Sequence, residues 1–185
     1  MKKYNISTIE EFFEYCKKEF NYGWIDKEGK RHEGVNDGGA YLLQSPKELT
    51  NSKLGICWDR TELYRDYFEN MTDLKYETYY LLYEDGKGCP SHTILVYYNN
   101  NKVYWFEPMF QNKDCYYSGI HEYSNLNDLL NDFKAIWIKE AIISGMIPKN
   151  YDDKNIFIYQ YNKPKYHING YEMRKHINNS KLIKL

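Results

Sequence analysis

Apolar residues Ile9, Phe12, Phe13 and Cys16 recur at helical spacing, which predicts a helix from Ser7 to about Phe20. Ser7 followed by Glu10 fits the capping box that opens such helices. In "YGWIDKEGKRHEG" the pattern breaks into a small hairpin turning at Lys27 to Gly29. The stretch "VNDGGAYLLQSPKEL" reads as a loop and a short helix, with Ser45 as cap and Pro46 as first helical residue. Positions 57, 61, 64, 68 and 71 (Cys, Thr, Tyr, Phe, Met) step by four and three along one helix face, and Cys57 stands at its N-terminal end.

Three runs rich in Tyr, Thr, Val, Ile and Trp follow, at 75–84, 92–98 and 102–108, and read as antiparallel strands. A long helix is expected from about Leu126 to Ser144, with Leu129, Leu130, Phe133, Trp137 and Ala141 on one side and Ser124 as cap. The run 156–161 reads as a further strand and 170–177 as a short helix. Helices, then a meander, then helix and strand make an α+β pattern without βαβ alternation, in which a central helix packs on an antiparallel sheet.

With 185 residues the chain has the length of one domain, 1–185, with a core at about 42–110 and a C-terminal helix and strand extension at 124–185. The 21 tyrosines supply apolar area with a polar tip, suited to half-buried strands and clefts. A net charge of −1, with Lys and Arg dispersed, argues against a nucleic-acid or anionic-membrane partner. No apolar run approaches the roughly 18 residues of a membrane span, and the N-terminal stretch lacks a signal-type apolar core, so the expected location is cytoplasmic. Oligomeric state is left open. The four cysteines (16, 57, 89 and 115) contain no CxxC pair, and Cys16 reads as a packing residue.

Cys57 differs from the others because a helix N-terminus favours an anion there. A thiol so placed, with an imidazole beside it, becomes a nucleophile. His92 begins one strand and Glu107 ends the next. A two-residue turn at Asn99-Asn100 pairs 96 with 103, 94 with 105, and 92 with 107, which sets His92 directly opposite Glu107. A turn centred on Asn100 alone sends them to opposite faces. A carboxylate beside the imidazole would fix its tautomer and stabilise its charged form. The bland alternatives are a buried packing cysteine, a satisfied strand histidine and an edge-guarding glutamate.

"GICWD" (55–59) opening a helix, "SHTILVYY" (91–98) on a strand and "YWFEP" (104–108) on the next together resemble the core of the transglutaminase-like superfamily, over roughly Leu42 to Phe110. The resemblance implies a papain-like fold with a Cys-His-Asp triad drawn from a helix and two adjacent strands, an arrangement that arylamine N-acetyltransferases share. On it, Cys57 is the nucleophile, His92 the general base and Glu107 the orienting acid, one methylene longer than the family's usual Asp. Gln44 is the side-chain candidate for the oxyanion hole, because papain-like enzymes place a glutamine before the nucleophile. Its alternative is a loop-bracing amide.

The expected chemistry is acyl transfer through a thioester, with hydrolysis of a peptide or amide substrate favoured by the resemblance. No metal or organic cofactor is implied. Two rival readings stay open. Cys89 with His92 and Cys115 with His121 form a possible Cys2His2 zinc site, and the fold could serve as an inactive binding module with an aromatic cleft. His32, His167 and His176 are expected to face solvent.

Overall fold

The β-branched and aromatic runs pair into one six-stranded antiparallel sheet in the computed structural model, which describes residues 6–34, 38–86, 89–108 and 117–185. Its strands are β3 (Tyr76–Tyr83), β4 (Ser91–Asn99), β5 (Lys102–Glu107), β6 (Gly119–Tyr123), β7 (Ile156–Gln160) and β8 (Lys181–Ile183), in the spatial order β6-β5-β4-β3-β7-β8. A separate hairpin, β1 (Trp24–Ile25) and β2 (Arg31–His32), turns where Asp26 accepts the backbone N–H groups of Glu28 and Lys30. The helices are α1 (Ile9–Glu19), α2 (Pro46–Ser52), α3 (Cys57–Met71), α4 (Leu126–Ile143) and α5 (Gly170–Asn178). The protein is thus mixed α+β. Residues 35–37 of the expected loop, and Cys115, lie outside the described residues.

Alternation along the strands sorts the core into two layers. Tyr79, Leu81, Ile94, Val96 and Trp105 meet Leu129, Leu130, Phe133 and Trp137 of α4 on one face. Leu95, Tyr97 and Phe106 meet α1 and α3 on the other, while Tyr80 and Leu82 meet the start of α3 and Met173 and Ile177 of α5. Each large side chain removed from water contributes on the order of 2 kcal/mol, so helices that cover both faces leave the sheet little exposed apolar surface.

Four details differ from the sequence-based expectations. Helix α1 is capped by Thr8 with Glu11 rather than Ser7 with Glu10, and α4 by Asn125 rather than Ser124, each one residue along. Strands β6 and β8 were not anticipated. Their five- and three-residue runs carry no strong periodic signal. Helix α3 is not one-sided. Asp59, Arg60, Glu62, Arg65 and Asp66 are buried along with its apolar stripe, because the sheet lies on one side and α1, α2 and the chain around Tyr161 on the other. Those charges are answered locally: Arg65 donates to Glu62 at 2.9 Å and to the Thr78 hydroxyl at 2.6 Å.

The β4–β5 turn falls at Asn100-Asn101, one residue later than expected, and both residues have positive φ (48° and 61°), as a type I′ turn requires. The register is therefore Asn99↔Lys102, Tyr98↔Val103, Val96↔Trp105 and Leu95↔Phe106. His92 and Glu107 stay on one face, because the shift is a whole two-residue period, but they are diagonal neighbours instead of direct partners.

Candidate active site

Helix α3 must begin close against its surroundings. A Cβ on Gly55 would lie 2.6 Å from Leu49 Cδ1 and 2.9 Å from Asp59 Cβ, so only glycine fits there. The cap residue, Ile56, has no polar side chain. Its backbone N–H instead donates to Asp59 Oδ2 at 3.0 Å, and Asp59 Oδ1 accepts from the Tyr41 hydroxyl and the Gln44 N–H, both at 2.9 Å. Burial pushes the Asp59 carboxyl up to about 6 against those three bonds. With the Ile56 N–H occupied, the Cys57 N–H takes the first helical position, where no carbonyl lies one turn back.

His92 is near the start of β4, past the last β4–β5 rung at Leu95↔Phe106, and Glu107 ends β5, where it pairs with Gly119 of β6. Both belong to the face that α4 covers: the His92 ring centroid is 6.1 Å from that of Phe133, and the Trp105 indole N–H donates to Glu107 Oε2 at 3.3 Å. His92 Nε2 and Glu107 Oε2 are 2.8 Å apart. The Cys57 thiol is hydrogen-bonded to the His92 side chain and also to Thr93. Thr93, on the opposite face of β4, takes a hydrogen bond from the Thr61 hydroxyl at 3.0 Å, which ties α3 to the strand. Thiol and ring thus meet where the ladder has ended and the nucleophile's helix can reach past the sheet.

The three groups are 9%, 4% and 2% exposed for Cys57, His92 and Glu107. Burial alone would raise the Cys57 thiol, but the hydrogen bond and positive charge of His92, with the bonds to Thr93, bring it below its ordinary value. Burial alone would lower His92, but the charge of Glu107 and the bonds to Cys57 and Glu107 push it up to about 9. Both directions favour a thiolate–imidazolium pair near neutral pH.

Gln44 does not join this group. Its side-chain amide donates to the Leu54 carbonyl at 2.8 Å and its oxygen accepts from Ser52 at 2.8 Å, so it braces the loop before α3. It lines a different cavity, of about 420 Å³, with Glu48 and His167. The zinc grouping fares no better on position: His92 is held by Glu107 and Cys57, His121 Nε2 is 2.7 Å from the Tyr117 carbonyl oxygen, and Cys115 lies outside the described residues. The other histidines have protein partners too. His32 stacks on Trp24 and meets Asp26 at 2.7 Å, His167 meets Glu48 at 2.8 Å, and His176 meets the Asn162 carbonyl at 2.8 Å.

Cys57 opens into a cavity of about 390 Å³, walled by Tyr22, Trp58, Ser91, Tyr171 and Arg174 among others. Helix α5 closes one side because Gly170 and Gly38 touch: the Gly170 N–H donates to the Gly38 carbonyl at 2.7 Å, and a Cβ on Gly170 would lie 2.9 Å from Gly38 Cα. Tyr22 adds a phenol that burial, and then the Cys57 charge, hold well above its ordinary pKa, and the Arg60 guanidinium lies 5.2 Å from the centre of its ring. Thr93, Tyr22 and Arg174 are site residues the sequence did not reveal. For Thr93 the signal was its place next to His92 on the alternating strand; Tyr22 and Arg174 come from distant segments with no local motif. Among the described residues no helix is long and apolar enough to cross a membrane. Compared with known proteins, the chain matches no family model and no curated protein.

Proposed function

We propose that the protein is a cysteine-dependent acyl-transfer enzyme of transglutaminase-like, papain-like design, acting on a peptide or amide and passing the acyl group to water. The observation that carries this reading is the continuous chain from the Cys57 thiol through the His92 ring to Glu107, with its final link at 2.8 Å. Three polar groups that would be costly to bury singly are buried together, in the order that nucleophilic catalysis needs.

In the proposed reaction the Cys57 thiolate forms a bond to the substrate carbonyl carbon, and the carbonyl π electrons move onto oxygen. The Cys57 N–H, at the positive end of α3, faces that oxyanion. As the C–N bond breaks, the His92 imidazolium gives its proton to the leaving amine, and a thioester remains. Water then attacks, His92 takes a proton from it, and the C–S bond breaks to return the thiolate. Glu107 holds the ring in one orientation throughout, and in one tautomer while it is neutral. Its extra methylene relative to an aspartate suits the diagonal placement, where Cβ atoms stand farther apart than in a facing pair.

The test is to expose the protein to p-nitrophenyl acetate, quench in acid and map the acetyl group by mass spectrometry. Acetyl should appear on Cys57 and turn over in the wild type, and both Cys57→Ser and His92→Ala should lower turnover at least about a hundredfold. Equal acetylation of all four cysteines, or near-normal turnover in either variant, overturns the proposal and leaves a cleft that binds without reacting.

A further inference from the structure

We infer that the cavity beside Cys57 selects acyl donors that carry a carboxylate close to the scissile carbonyl, with Arg174 as the group that receives it. The inference rests on the proposed role of Cys57 and adds to it the class of substrate.

The argument begins with charge. Among the described residues that wall the cavity, Arg174 alone has a side chain that is always charged; the remainder are neutral apart from the Cys57 thiol itself. His92 and Glu107 are not among the cavity's described lining residues, so Arg174 is the fixed cation that an entering group meets there. No hydrogen bond or ion pair joins Arg174 to any other described residue, although its side chain is only half-exposed. None of its nitrogens is both buried and unbonded, so its N–H donors stay available to a group that enters the cavity. A carboxylate would accept two of them in a fork and pair with the charge. A single guanidinium matches a monoanion; a phosphate dianion would leave one charge unanswered.

Position supports the same reading. Arg174 and Tyr171 are three residues apart on α5, so they share one side of the helix, and both wall the cavity that Cys57 enters. Tyr171 is 68% exposed, so its ring forms the outer lip while Arg174 lies within. The Gly38–Gly170 contact fixes the first turn of α5 against the loop opposite and thereby sets the depth at which Arg174 is held.

The experiment compares two alkylating reagents that differ in charge, iodoacetate and iodoacetamide, on the full chain, with the rate at Cys57 read by peptide mapping. In the wild type, iodoacetate should gain from Arg174. In Arg174→Gln the iodoacetate-to-iodoacetamide rate ratio should fall about tenfold, the scale of a hydrogen bond to a charged group. The iodoacetamide rate on the same protein corrects for any change in the thiol's own reactivity, and a urea midpoint close to that of the wild type reports that the variant is folded. Arg174→Lys should recover part of the ratio through charge alone. An unchanged ratio in Arg174→Gln, on a Cys57 that still outpaces the other thiols, overturns the carboxylate site and leaves the nucleophile standing. A wild-type Cys57 no faster with iodoacetamide than the other cysteines overturns the nucleophile, and the substrate class falls with it.

Discussion

His92 Nε2 lies 2.8 Å from Glu107 Oε2 although the two residues stand on different rungs of the sheet, with Leu95↔Phe106 the last rung between their strands. Diagonal neighbours stand on the order of 7–8 Å apart, with their Cβ atoms somewhat closer, against about 5 Å between the Cβ atoms of a facing pair. The glutamate closes that offset with its 2.8 Å contact, and an aspartate on the same backbone would set its carboxylate one bond length farther back. Glu107→Asp is therefore expected to behave nearly as badly as Glu107→Gln, each slowing acylation of Cys57 by about tenfold or more. Retention of wild-type rates by Glu107→Asp would show that the longer side chain is not needed.

Activity should follow a bell in pH. The acid limb reports formation of the Cys57 thiolate and should fall below the ordinary thiol value of about 8.5. The alkaline limb reports loss of the His92 proton needed by the leaving amine, and should lie near 9. In Glu107→Gln the charge that holds the imidazolium is gone, so the alkaline limb should move to lower pH. A profile of initial rates between pH 5 and 10, for both proteins, checks this.

Asp59 gives a stability prediction with a definite sign. Its carboxyl is raised to about 6 in the folded chain, from about 3.9 unfolded, so the folded state holds the proton more tightly. Its contribution is complete below about 4 and is lost as pH rises through about 6. Asp59→Asn has no such titration and places an NH2 group among three donors, so it should cost about 1–3 kcal/mol. Urea midpoints should show the gap between wild type and variant narrowing from pH 4.5 to 7. A widening gap would mean that the ionised carboxylate is the form the fold prefers.

The β4–β5 turn offers a test of register. Asn101 has φ of 61°, a region that a β-branched residue enters only at a cost. Asn101→Val should lower stability by about 1–2 kcal/mol in urea titration, while Asn101→Gly should be neutral or stabilising. If Val is tolerated without loss, the turn is not the type I′ that fixes His92 and Glu107 on one face.

The parts of the fold legible in the sequence were those written in local periodicity. The β3, β4 and β5 runs, the α4 stripe from Leu129 to Ala141, and the helix opening at Cys57 all form where the pattern places them. Cap positions slipped by one residue because Ser7 and Thr8 offer the same hydroxyl, and so do Ser124 and Asn125 a polar group, and only packing chooses between them. His92 and Glu107 were legible as a same-face pair because side chains alternate with a period of two, which a slip of one turn residue at both ends preserves. Gln44 stayed open between oxyanion donor and loop brace for the opposite reason: nothing local fixes where a long amide points, and in the fold it bonds to Leu54 and Ser52. Arg174 was invisible, since its place depends on a glycine contact between segments far apart in the chain.

That glycine contact has a consequence for the order in which the molecule becomes competent. A ribosome emits Cys57, His92 and Glu107 well before Gly170 and the helix it starts. A nascent chain can bring sulphur, imidazole and acid together while the recess that would grip a substrate still lacks a side. On the proposed role of Cys57, a chain still short of α5 would have its thiol without the Arg174 side of the recess, and a substrate could be gripped only after translation has supplied that last wall.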